Sequence, residues 1–395
     1  MPFEPALFAG LYRRGGTSVE LDDRAWLQAM LDVEAALARA CAAEGLIPGE
    51  SAQEIVAAAH PARFDPVALG REAARHASPV IPLVAALRAA VSEPARDHVH
   101  LGATSQDIVD TALMLLAHRA LGPLLAEADG CADAAALLAD AHRGTAMVGR
   151  TLLQQALPVS FGLRAAGWLV GIDGARARLV EVRRTELAVQ MGGPVGARAP
   201  AIAHRVAAEL GLAEPVLPWA TIRVRPASLA TALGVLAGVM GKIARDATLL
   251  AQQEVGEAAE GGNMGDGGSS SMAHKRNPVA AVSALACVKR VPGLVATALA
   301  VMEQEHERAA GAWQAEWGLY TELLELVGSA TSWTLALLER LQIDPGRMAA
   351  NLETLSAAGV REASAPGEHL DGAEALIDRA LTAHRRLHTV QRELS

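Results

Sequence analysis

The chain has 395 residues, of which 51% are hydrophobic and only 3% aromatic, and its formal net charge is −9. A chain of this length buries a large core in two or three lobes, and an interior built from Ala, Leu and Val favours an all-α fold. The negative balance excludes the basic footprint of a nucleic-acid-binding surface, so an anionic substrate must meet a local cationic pocket in an acidic protein.

The N-terminal stretch MPFEPALFAG lacks the basic and long apolar regions of a signal peptide. The first lobe is expected over residues 1–100. It holds a helix from about Asp22 to Glu44, stopped by Gly45 and Pro48, then shorter helices broken at Pro61, Pro66, Pro79 and Pro82. Residues 101–341 read as a series of long helices: Ser105 to about Ala120, Leu124 to about Arg143, and Pro158 to about Val189. Over Pro226–Glu257, apolar residues Leu229, Leu233, Leu236, Met240, Ile243, Ala247 and Leu250 recur at the helical period. Gly234, Gly238 and Gly241 lie on one side of that helix, where small residues let a neighbour pack closely. Its first half is apolar on nearly every side and is expected to be buried all round, in a bundle that continues across subunits. Residues 342–395 are more polar, with breaks near 356–359 and 365–367, and form one or two helices.

Apolar runs such as Leu229–Gly241 are shorter than the roughly 20 residues that cross a bilayer, so no membrane partner is expected. Cys41, Cys131 and Cys287 have neither zinc-ligand nor redox spacing, which suits a reducing cytoplasm.

Residues 261–278, GGNMGDGGSSSMAHKRNP, carry the strongest signal. The glycines allow a loop whose N–H groups approach an anion, the serines add hydroxyls, and Lys275 adds a charge that can face a carboxylate. Asn277 and Pro278 read as an N-cap followed by the first residue of a helix. Six residues separate Gly268 from Lys275, so the loop is not a nucleotide-binding P-loop.

A second segment, His98-Val-His100-Leu-Gly-Ala-Thr104-Ser105-Gln-Asp107, reads as a capping box, with Thr104 at the cap and Asp107 reaching back. The same Thr104, Ser105 and free helix N–H groups can also bind a carboxylate. The His-x-His pair lacks companions for a metal site, and neither metal nor cofactor is expected. A third segment, Gly149 to Pro158, places Thr151 and Gln154 between apolar runs ahead of a Pro-started helix. Helix-start polarity explains these two as well as ligand binding does. A fourth segment combines Glu305-His306-Glu307-Arg308 with Trp313 to Trp317 around Glu316. Such dense charge usually marks a solvated helix face, although two tryptophans around a glutamate suit partial burial better.

The loop resembles the signature of the fumarase/aspartase superfamily, Gly-Ser-Ser-x-Met-Pro-x-Lys-x-Asn-Pro. Residues Gly268 to Pro278 match it except that Ala273 replaces the first proline. Segments 100–110 and 150–158 resemble the family's two other site-forming regions, in the same order, and the likeness covers about residues 1–340. It implies a mostly helical homotetramer with a long central bundle, a smaller N-terminal lobe and a shortened C-terminal lobe, each site drawing its segments from three subunits. Within the superfamily, Leu153 to Val159 with Trp168, and His306 with Trp313 to Trp317, are similar to the carboxymuconate-cycloisomerase branch.

Carried over by position, the resemblance makes Ser269 the general base and lets Ser270 help hold the aci-carboxylate. Lys275 and Asn277 bind a substrate carboxylate, Thr104 and Ser105 a second, and Thr151 and Gln154 add a third set of contacts. His100 matches a site histidine, and Arg308 joins them. The implied reaction interconverts a carboxylated cis,cis-muconate and its lactone, by proton transfer alpha to a carboxylate coupled to a bond change at the beta carbon. The implied partner is a small di- or tricarboxylic acid.

Lyases that expel an amine often carry histidine near the residue matching Thr151. Here Leu152, Leu153, Gln154 and Gln155 stand there. A carboxylate leaving group is a stable anion near neutral pH and needs no such acid, which tilts the reading to the cycloisomerase. The alternatives are a lyase removing an amine or nitro group from a succinate-like acid and, more remotely, a non-catalytic helical scaffold.

Overall fold

Asp22 starts the first long helix as a cap: its carboxylate accepts the Ala25 N–H at 2.7 Å, and helix α2 runs Asp23–Ala43, close to the range expected. The computed structural model describes residues 6–262, 267–268, 271–272, 275–363, 366 and 370–394. Helix α2 packs against α3 (Gly49–Ala58) and α4 (Pro66–His76), and the same stretch of chain holds α1 (Ala6–Tyr12), α5 (Val80–Ala89) and α6 (Glu93–Arg96), with prolines at several helix starts. The long helices α7 (Ser105–Ala141), α8 (Phe161–Thr185), α10 (Val224–Leu250), α11 (Val279–Ala300) and α13 (Leu319–Arg340) follow, with the shorter α9 (Pro200–Leu210) and α12 (Ala312–Ala315) between them. The described chain ends with α14 (Pro345–Ala357) and α15 (Asp371–Leu394).

Among the described residues the fold is all-α apart from two antiparallel pairs, β1 (Ala146–Thr151) with β2 (Gln154–Ser160), and β3 (Ala258–Glu260) with β4 (Leu341–Ile343). Two compact units interleave along the chain. One comprises residues 1–124, 179–234 and 291–328, the other 125–178, 235–290 and 329–395. In the first unit α2 is the hub, buried along Leu27, Leu31, Val33 and Leu37. In the second, Val148 packs with Leu352, Leu355 and Ala363.

Several sequence expectations change. The two helices expected over Ser105–Ala120 and Leu124–Arg143 are one, α7, with Pro123 inside it. Proline removes one backbone donor, but burial of Leu121, Leu124 and Leu125 on either side favours continuation. Pro158 does not start a helix; it lies in β2, and α8 begins at Phe161. Helix α10 is shorter than Pro226–Glu257, and within this chain its Val224 and Val235 are exposed. The packing expected of its glycines holds at two of three positions. A Cβ on Gly234 would meet Val295 at 3.0 Å and one on Gly241 would meet Val288 at 2.8 Å, whereas Gly238 faces open space.

The statement that no run is long enough to span a bilayer fails for the helices themselves. By length and composition α7, α10 and α11 could each cross one. Their most apolar stretches are 78%, 56% and 33% buried inside this chain, so α7 is a core helix, while α11 leaves most of its apolar surface unburied. The three cysteines are buried, and no disulfide joins them.

Candidate active site

The segment before α7 is held by its own capping chemistry. Asp107, in the first turn, accepts the Thr104 N–H at 3.1 Å, the reciprocal half of the expected capping box. The same carboxylate accepts the N–H groups of Gly192 and Gly193, both at 2.9 Å, and the Gln190 amide at 3.1 Å. Burial raises the pKa of Asp107 and these hydrogen bonds oppose the rise. Its task is structural: it stitches loop 190–193 to the segment that carries Thr104 and Ser105. Ser105 opens α7, so its N–H is among the unpaired donors of a helix start.

Thr104 does not cap with its hydroxyl. Instead Thr104 Oγ1 accepts from Arg308 Nη2, which joins two candidate residues 204 positions apart. Arg308 is exposed on a loop tied at both ends: the Thr221 hydroxyl donates to the His306 carbonyl at 2.9 Å, and Glu305 accepts the Ala310 N–H at 3.1 Å. His100, at φ +61°, points its Nδ1 at Glu34 Oε1, 2.6 Å away. His98 pairs with Ser51 at 3.0 Å instead, so the two histidines of the His-x-His motif serve different partners.

The Trp313–Trp317 segment is no solvated face. Glu316 is buried with Arg223 and Asp110 in a salt-bridged trio. Trp313 Nε1 donates to Asp110 at 3.0 Å, Gln304 to Glu316 at 3.0 Å, and Gln106 to Asp110 at 3.1 Å. The Arg223 guanidinium also lies 5.0 Å from the Trp219 ring centre. Burial raises the pKa of Glu316, opposed by its hydrogen bond and charge pairing with Arg223. Burial disfavours the Arg223 charge, yet the two carboxylates more than offset this and hold its pKa above the usual value. The trio links α7 and the residue just before α10 to the end of α12, beyond the Arg308 loop. Only Glu305 to Arg308 are exposed as the charge density suggested.

Thr151 and Gln154 sit opposite each other across a two-residue hairpin turn rather than ahead of a helix. Leu152 (φ +51°) and Leu153 (φ +64°) form that turn in the left-handed region, which costs a non-glycine residue roughly 1–2 kcal/mol. Both leucines are exposed, at 96% and 76%, so the tip is apolar and uncovered within this chain. No Asn-Gly signal marks this turn, which is why pattern reading missed the hairpin. At its base Arg150 makes a bidentate pair with buried Glu257, both bonds at 2.8 Å, and Asn351 donates to the same carboxylate at 2.8 Å.

In the signature loop, Ser269 and Ser270 lie outside the described residues. The loop's neck is described: the Asn277 N–H donates to the Gly267 carbonyl at 2.8 Å, and Lys275 is exposed. Asn277 is not the cap of α11. The helix starts at Val279, and Glu260 reaches its N-terminus to accept the Ala280 N–H at 2.9 and 3.0 Å. A carboxylate suits the positive end of a helix dipole, and the sequence offered no sign that strand β3 would supply it.

Thus one unit gathers His100, Thr104, Ser105 and Arg308, with Arg308 on Thr104. The other carries Thr151, Gln154, Lys275 and Asn277. Among the described residues no group of His, Cys, Asp and Glu is placed to hold a metal ion.

Residues 13–293 match the Lyase family. The chain belongs to this family. Its fumarase/aspartase signature, read at Gly268–Pro278, lies inside the matched span. The lyase is 46% identical to the 3-carboxy-cis,cis-muconate cycloisomerase of Bradyrhizobium diazoefficiens, over 88% of this chain and 79% of that protein. It is 43% identical to the nitrosuccinate lyase of Streptomyces davaonensis, over 86% of this chain and 76% of that protein. Its structure superposes on the solved 3-carboxy-cis,cis-muconate lactonizing enzyme of Pseudomonas putida with a TM-score of 0.88 and 35% identity, covering 97% of this chain and 99% of that one.

Proposed function

We propose that this lyase is a cycloisomerase that interconverts 3-carboxy-cis,cis-muconate and its carboxymuconolactone, in the protocatechuate branch of aromatic degradation. The observation that carries the reading is its 46% identity, across most of both chains, to a cycloisomerase of that name. The hairpin around Thr151 agrees with it, because Leu152, Leu153, Gln154 and Gln155 offer no acid to a leaving amine. In lactone opening the leaving group is a carboxylate, which departs as a stable anion.

In the opening direction Ser269 takes the proton alpha to a carboxylate, charge builds on that carboxylate, and the beta C–O bond breaks to release the second carboxylate. In closure the carboxylate oxygen adds to the beta carbon and the alpha carbon is protonated. Lys275, Asn277, the Ser270 hydroxyl and N–H groups of the loop hold the growing charge. Thr104, Ser105, Arg308 and His100 hold another carboxylate, and Thr151 and Gln154 orient the remainder. Donors aimed where charge develops lower the barrier selectively.

We read the protein as a cytoplasmic homotetramer whose sites are shared between copies. The uncovered hairpin tip supports this, as do the exposed Val170, Val235 and Val282 of α8, α10 and α11. The domain reading is a lobe over 1–100, a bundle over 101–341 and a short C-terminal region over 342–395.

Mixing the purified protein with 3-carboxy-cis,cis-muconate and following the diene absorbance tests the activity. Loss of the absorbance is expected, and Ser269→Ala should slow it by about 100-fold or more. No turnover of this acid, or near-normal turnover by the variant, refutes the substrate or the base respectively. A nitro- or amino-succinate is the second substrate to assay, because the Streptomyces davaonensis relative is nearly as similar.

A further inference from the structure

The geometry points to Glu34 as the positioning residue of the substrate-binding His100: it anchors Nδ1 inward, which leaves Nε2 to meet the substrate. The inference rests on the reading of His100 as a carboxylate-binding residue.

Glu34 lies in the middle of α2, a helix whose neighbouring side chains are apolar, and its own side chain is 0% exposed. A carboxylate in such a place needs partners, because burying an unpaired charge is expensive. Its Oε1 has His100 Nδ1 at 2.6 Å, and its Oε2 has no hydrogen-bond partner among the described residues. One short bond to an imidazole is therefore the main partner of this buried carboxylate among the described residues. His100 meanwhile sits at φ +61°, an uncommon conformation for a non-glycine residue, and its side chain is 15% exposed. A merely buried histidine needs neither feature. A ring that must face inward at one nitrogen and outward at the other, four residues before Thr104, accounts for both.

The surroundings supply charges of both signs. Arg198 Nη2 donates to the Cys41 thiol at 3.3 Å, and its guanidinium lies 3.2 Å from where a Gly102 Cβ would stand. Cys41, about two turns along α2 from Glu34, has its pKa raised mainly by burial, with Arg198 lowering it and Glu34 raising it. Asp107 stands at the start of α7, Arg308 rests on Thr104, and Arg88 donates to the Val99 carbonyl at 3.3 Å. With Nδ1 committed to Glu34, Nε2 is the ring atom left for the same substrate that Thr104, Ser105 and Arg308 are proposed to grip.

The test uses Glu34→Gln, which keeps the shape and can still accept from Nδ1–H but removes the charge. In substrate-free protein carrying ring-labelled histidine, the His100 resonance is assigned by its absence in His100→Gln. In the unaltered protein, nitrogen shifts of the neutral ring should show the proton on Nδ1. With 3-carboxymuconate, Glu34→Gln should raise KM at least about tenfold while kcat changes less. An unchanged KM, or a neutral ring protonated on Nε2, overturns the inference, and the nitrogen shifts remain decisive even if Glu34→Gln does not fold. If the resonance behaves as expected but the unaltered enzyme ignores carboxymuconate, the substrate reading has failed and the Glu34–His100 assignment stands.

Discussion

Replacing Arg223 by Met tests the buried trio. Arg223 is 1% exposed, and the Asp110 and Glu316 side chains are each 2% exposed. Met roughly keeps the volume against Trp219 but leaves two carboxylates buried without a cation. Breaking a buried ion pair on one side costs about 3–5 kcal/mol, most of it from the charge left behind. The sign of the pH dependence follows from Glu316. Its pKa in the folded protein is already raised by burial, with Asp110 adding to the rise, and the two influences of Arg223 that lower it vanish in the variant. A group whose folded pKa is raised stabilises the fold fully below its ordinary pKa, and that stability is lost as pH rises through the folded value.

The deficit of Arg223→Met relative to the unaltered protein should therefore be largest near pH 8 and shrink toward pH 5. It should shrink by about 1.4 kcal/mol per pH unit for each extra proton held. Denaturant midpoints at three pH values and one fixed protein concentration measure it. Adding Asp110→Asn and Glu316→Gln should recover much of the loss, because neutral groups avoid the desolvation cost. A deficit under about 1 kcal/mol at pH 8, or one equally large at pH 5, refutes the reasoning.

Thr104→Val removes the hydroxyl that Arg308 grips; at about 1.5–3 kcal/mol for a hydrogen bond to a charged group, KM for the carboxymuconate should rise tenfold or more, and an unchanged KM would show the contact to be idle. Leu152→Asn with Leu153→Gly gives the hairpin turn residues that tolerate positive φ; the melting temperature should rise, with roughly 1–2 kcal/mol of strain relieved, and a fall would place the leucines in a packed contact instead. Gly149→Ala puts a Cβ 2.3 Å from the Leu157 carbonyl oxygen, so hydrogen exchange over residues 146–160 should accelerate, with a loss of about 1–3 kcal/mol; unchanged exchange would contradict the close strand approach.

Composition and helical period were enough to establish an all-α protein with long central helices, because Ala- and Leu-rich periodic stretches have few other ways to bury their surface. The capping box at Thr104 and Asp107 was legible because its partners are three residues apart. The lyase signature was legible for a different reason: a loop that brings hydroxyls, a lysine and N–H groups to one anion needs those residue types in a short span. Ser269 and Ser270 belong to that reading, and their place in space lies outside the described residues.

What pattern could not reach depended on distant partners or on burial. Helix α7 passes through Pro123 because its buried flanks outweigh one missing donor. The Thr151–Gln154 hairpin turns on two leucines at positive φ, where local preference predicts no turn. The tryptophans around Glu316 suited partial burial, but its ion partners Arg223 and Asp110, far away in sequence, could not be read from the pattern. Glu34 reads in sequence as one more residue of an amphipathic helix, and only the packing of α2 turns it inward onto His100. Local patterns follow from dihedral preferences within a turn or two of chain, whereas a buried charge gains its partner only when the chain has folded back on itself.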